Sequence, residues 1–192
     1  MKVRITSKIV PLFLCLTLVG VDQRWSLAGD RIDRMLVQEV PELLRQLRAS
    51  GADSVAVLPF RLRHPDAAAS LKGAMIQTNL ALRIERAMAT FYSRTEPVRV
   101  VFDAWNQILQ RDEHASFATT EGCEHLFQQR FELPVQSPPI QVDALLSGII
   151  EPSNDYRNTT ISFEFCTRDE PGRWKRTNRT ITVPTDRSVL VS

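Results

Sequence analysis

The side chains best able to do chemistry lie close together: Cys123-Glu124-His125, with His114 upstream. A thiol, a carboxylate and two imidazoles are the components of a metal site, or of a thiol nucleophile activated by a base. The spacing argues against both. It does not match the ligand intervals of a closed zinc site. Residues two apart on a helix point in different directions, so His125 is poorly placed to activate Cys123. Cys123 instead shares an apolar face with Phe127 and Phe131 at spacing four, and His125 falls off that face. The expectation is a buried, structural Cys123 and surface histidines, His64 included. The chain has no Gly-rich phosphate loop, nucleophile elbow or paired-histidine helix. No catalytic, cofactor-binding or metal-binding residue is assigned.

The other use for Cys123 is a disulfide with Cys166. A bridge needs Cβ atoms within about 4.5 Å. Cys166 ends a run in which Ile161, Phe163 and Phe165 point one way and Thr160, Ser162, Glu164 and Cys166 the other. If the Cys123 helix covers the phenylalanine face, the two sulfurs lie on opposite sides of the sheet. A twist or bulge at the strand end is then needed to join them. Cys123–Cys166 stands as a candidate that the alternation disfavours.

Compartment bears on that pair. Met1 to Lys8 is basic, and Ile9 to Val21 is an apolar run of 13 residues. Ser26-Leu27-Ala28 offers small residues at −3 and −1 of a cleavage site. This reads as a secretory signal peptide over 1–28, cut between Ala28 and Gly29, too short for an ordinary membrane span. Export would place the two remaining thiols in an oxidising compartment. The formal charge of +2 belongs mostly to this leader; the rest carries 20 basic and 21 acidic residues. That balance, even with Arg173-Trp174-Lys175-Arg176 and Arg179, gives no footing for nucleic acid.

The elements that position these residues follow from periodicity. Ile32, Leu36, Val40, Leu43, Leu44 and Leu47 form one stripe of an amphipathic helix over Arg31 to Ser50, which Pro41 should break or kink. Gly51 suits the left-handed position after it. Val55-Ala56-Val57-Leu58-Pro59-Phe60 is a strand apolar on both faces that should finish, or meet an edge, at Pro59. A long helix from Ser70 to about Tyr92 buries Ile76, Leu80, Ile84, Ala87, Met88 and Phe91. Pro97 to Asp103 is a second strand, Ala104 to Asp112 a short helix, and Thr119 or Thr120 caps the Cys123 helix. Val142 to Ile150, Thr159 to Thr167 and Trp174 to Val183 are strands joined by turns at 154–158 and 169–172. Helix-separated strands pair in parallel and the last three form a meander. The fold class is α/β (α+β): a mixed twisted sheet of about five strands with helices packed against it, in one domain over 29–192.

Three pieces in order resemble a known family: Val55 to Phe60, the helix segment Asn79 to Glu85, and Asp143-Ala144-Leu145-Leu146-Ser147-Gly148 leading into a hairpin. The set is similar to the bacterial envelope domain family shared by the amino-terminal part of TolB, the curli secretion protein CsgG and the synthase activator LpoB. It spans about Ala49 to Val183. The resemblance implies an anticodon-binding-like fold and an exported, non-enzymatic interaction or ligand-sensing domain of the cell envelope. The implied partner is an envelope protein or a small ligand, with no cofactor, no nucleic acid and no membrane span once the signal is removed. A small periplasmic hydrolase and a structural subunit of an envelope or secretion assembly are the alternatives. An open sheet edge is the natural docking surface, and the Arg31–Ser50 helix is the second choice.

Overall fold

The computed structural model describes residues 31–63, 71–91, 98–133, 138–155 and 157–184, with side chains in the second helix described from residue 77 onward. The signal peptide expected over 1–28, its expected Ala28–Gly29 junction, His64 and Ser70 lie outside them. Among the described residues, four helices pack on one mixed sheet. In chain order these are α1 (Arg31–Ala49), β1 (Ser54–Val57), β2 (Arg61–Leu62), α2 (Leu71–Thr90), β3 (Arg99–Val101), α3 (Ala104–Leu109), α4 (Thr120–Gln128), β4 (Ala144–Pro152), β5 (Asn158–Thr167) and β6 (Lys175–Pro184).

The sheet runs β3-β1-β4-β5-β6, with β2 also on β4. β1 pairs in parallel with both β3 and β4, and β4, β5 and β6 are antiparallel. This is the mixed sheet that helix-separated strands followed by a meander predict. The Val55–Phe60 stretch is the difference in detail. β1 stops at Val57, and the chain resumes as β2 beyond Pro59, still parallel to β4. Pro59 has no N–H for the ladder. Its carbonyl instead accepts the Ser147 hydroxyl of β4 at 2.8 Å. The Phe60 ring meets Phe163 edge-on at 5.8 Å between centroids and fills the space that Gly148 leaves by lacking a Cβ. Proline thus interrupts the strand without ejecting it from the centre of the sheet.

The core has two halves, one on each face. Val55, Val57, Val100, Leu146, Ile161, Phe163, Phe165, Ile181 and Val183 face α1 and α2. Ala56, Leu58, Val101, Leu145 and Cys166 face α3 and α4. Both Val55 and Val57 are fully buried, as an apolar central strand requires.

α1 is continuous through Pro41, where the sequence leads one to expect a break. The bond that Pro41 cannot make would have gone to the carbonyl of Val37, four residues back. Val37 is 45% exposed, so this turn of the helix lies on its solvent side. The buried stripe Ile32, Leu36, Val40, Leu43 and Leu47 holds both halves against α2 and β6. The helix therefore packs on the sheet and is not a free docking element. Gly51 follows it at φ 86°, the left-handed position expected.

Candidate functional site

The sheet has one long margin. β6 is ten residues and ends the strand order, and no described residue pairs with its outer edge. The other terminal strand, β3, has three residues. Alternation along β6 explains its position. Ile181 and Val183 go into the core under α1, while Thr180 and Thr182 stay exposed on the opposite face. A register shift between Ser162 and Glu164 accommodates Thr177, whose hydroxyl accepts the Arg179 N–H at 3.2 Å.

Next to this margin the sheet presents polar side chains. Thr160 and Thr182 bring their hydroxyls to 3.4 Å across the β5–β6 ladder. Arg176 donates to the Ser162 hydroxyl at 2.7 Å. Glu164 pairs with Arg61, whose guanidinium stands 5.9 Å from the Trp174 ring centroid. On the α1 side, Arg179 reaches Glu39 at 3.5 Å and Glu42 at 3.9 Å. These groups can exchange hydrogen bonds and charge with a partner, but they do not form the nucleophile, base and orienting group that catalysis needs.

The cysteines require a correction. Alternation with a single helical layer predicts Cys123 and Cys166 on opposite sides of the sheet. They are on the same side, in one core cluster, because α4 lies over the face that α1 and α2 leave open. Cys123 does face the sheet, and Cys166 does oppose the phenylalanine face; the sheet simply carries helices on both sides. Both are free thiols, fully buried. A hydrogen bond from Cys166 draws the Cys123 thiol down to about 7, helped by the Gly172 backbone and by Trp174. Contact with Cys123 pushes Cys166 strongly up, and burial adds to this. Cys123 also donates to the Phe117 carbonyl at 3.4 Å. The Trp105, Phe117 and Trp174 rings close over this region edge to face, at 5.6 and 6.1 Å.

His114 and His125 are exposed, with Glu113 and Asp112 their nearest carboxylates at 3.5 and 3.6 Å. Cys123, His114 and His125 are not brought together, and no group of three metal-binding side chains occurs among the described residues. No described helix is long and apolar enough to cross a membrane. A shallow depression of about 290 Å³ lies between α4 and the β5–β6 turn, lined by Glu124, Phe127, Gln128, Gln141, Arg168 and Pro171. Arg168 there donates to the Val142 carbonyl at 2.6 Å and lies 3.7 Å from Asp143.

Sequence reasoning misses one buried acid. Glu85 on α2 is 2% exposed and accepts from the N–H groups of Asp103, at 2.8 Å, and Ala104, at 3.3 Å. Asp103 sits at φ 53° and makes no side-chain cap for α3, so a neighbouring helix supplies the acceptors. Burial raises the Glu85 carboxyl to about 7, against the lowering pull of those two bonds. The signal is present: Glu85 is four residues from Ala81 and three from Met88, both buried.

No family model and no curated protein matches the chain. Solved structures similar to it include the NMR structure of E. coli LpoB and the LpoB C-terminal domain from Escherichia coli. The first has a TM-score of 0.46 at 11% identity, covering 78% of this chain and 64% of that one. The second has a TM-score of 0.46 at 12% identity, covering 79% of this chain and 98% of that one. The chain therefore spans less than two thirds of the longer LpoB structure it is similar to.

Proposed function

We propose that this chain is an exported, non-enzymatic interaction domain of the bacterial cell envelope, and that it binds an extended segment of a partner protein along β6. The observation that carries the reading is the ten-residue margin itself, whose outer edge has no partner among the described residues. Backbone N–H and C=O groups on such an edge accept an added strand, and side chains beside it select the sequence. Thr180 and Thr182, exposed on β6 itself, supply that selectivity. The order of the Val55–Phe60 strand, the α2 stripe and the Asp143–Gly148 segment, similar to the TolB, CsgG and LpoB domain family, supports the envelope assignment.

The test is photo-cross-linking in the envelope. A benzophenone amino acid is placed at Thr182 on β6, at Val37 on α1, or at Glu113 in a loop. Saturable adducts to one protein from Thr182, absent from the other two sites, support the reading. Adducts from Val37 alone, or equal adducts from all three, overturn it.

A further inference from the structure

We propose that Cys123 and Cys166 form a redox pair that closes to a disulfide, tying α4 to β5 beneath the β5–β6 turn. The argument rests on contact and enclosure. The two residues are 43 apart in sequence, lie on different elements and share one core cluster, each with 0% exposure. Cys166 pairs with Leu145 of β4, which belongs to the same cluster as Cys123, and each thiol's proton affinity is set first by the other, with the Gly172 backbone acting on both. The turn therefore roofs the pair. Its Gly172 has φ 76°, and a Cβ there would strike Thr120 at the start of α4. Glycine is what lets this turn lie so close to the helix and its sulfurs.

The asymmetry of the two thiols suits exchange chemistry, because a stabilised thiolate attacks first and its neighbour resolves. Cys123 thiolate attacks a sulfur of an external disulfide, such as glutathione disulfide or the disulfide of a thiol oxidase. One thiolate leaves, and Cys123 is held in a mixed disulfide. Cys166 then loses its proton to solvent and attacks the Cys123 sulfur, which releases the second thiolate. In sum, two electrons and two protons pass from the pair to the external disulfide, which becomes two thiols. The enclosed pair is reached when the 168–173 turn opens locally, or before the turn closes during folding.

This inference is independent of the β6 docking edge. The test uses the full chain, equilibrated with excess glutathione disulfide or with excess glutathione. The samples are acid-quenched, alkylated under denaturing conditions, digested with trypsin and mapped by mass. In disulfide, the peptide spanning 112–130 should be joined to the peptide spanning 158–168 in most molecules. In glutathione the link should be absent and both cysteines alkylated. Mapping also separates any bridge to Cys15, which lies in a different peptide. Full alkylation of Cys123 and Cys166 after disulfide treatment, or preferential linkage of either to Cys15 or to glutathione, overturns the proposal. The wild-type map needs no core variant, so misfolding of a cysteine substitution cannot obscure the result.

Discussion

Replacing Glu85 with glutamine should make the protein relatively more stable at neutral and alkaline pH and flatten its dependence on pH. The carboxyl is 2% exposed and its value rises from 4.5 to about 7. Desolvation is the main cause, with a smaller push from the Asp103 charge and a small opposing pull from Arg86. Because the folded value is the higher one, the folded state holds the proton more tightly than the unfolded chain. The associated stability is complete below about pH 4.5, declines as pH rises and is gone above about pH 7. At about 1.4 kcal/mol per unit, a rise of this size corresponds to about 3 kcal/mol between the two limits. A glutamine side chain resembles the protonated acid: it keeps a carbonyl acceptor for the Asp103 N–H and carries no charge. The assay is urea unfolding of wild type and Glu85→Gln at several values from about pH 4 to about pH 8. The stability difference should move by about 3 kcal/mol in favour of the glutamine variant as pH rises. Parallel curves, with a constant offset across that range, would refute the idea that burial dominates this carboxyl.

Two further substitutions probe the packing. Gly148→Ala places a Cβ against the Ser162 carbonyl and the Phe60 ring; overpacking of this kind costs about 3 kcal/mol. Chemical denaturation should show it, and wild-type stability would mean that the close β4–β5 approach is not real. Leu36→Ala empties a fully buried site on α1, and the expected loss is about 2 to 5 kcal/mol. Hydrogen exchange should rise in α1 and in the β6 residues packed against it, while β1 remains protected.

The cysteines show where sequence reasoning stops. Parity along β5 correctly separates Cys166 from Phe163 and Phe165, and spacing along α4 correctly sends Cys123 inward. Neither pattern says which face of the sheet α4 covers. A central strand buried on both sides, such as Val55-Ala56-Val57-Leu58, needs a layer on each face. That requirement is legible in the same stretch. The assignment of α1 and α2 to one face and α3 and α4 to the other is not, because it depends on the path of the chain around the sheet. Pro41 is a similar case: the local rule anticipates a break, and packing of the buried stripe on both sides of the proline outweighs it.

Local periodicity, reading only neighbours three, four or two positions away, was enough to define the helices, the strands, the two-sided burial of β1 and the inward cysteine on α4. Contacts between distant segments decided the rest. They set Glu85 under α3, rejoined the chain to β4 beyond Pro59, left β6 as the long open margin and brought two thiols 43 residues apart into one core. A side chain's direction is dictated by its own element, but what it meets there depends on which other element has been folded across that face.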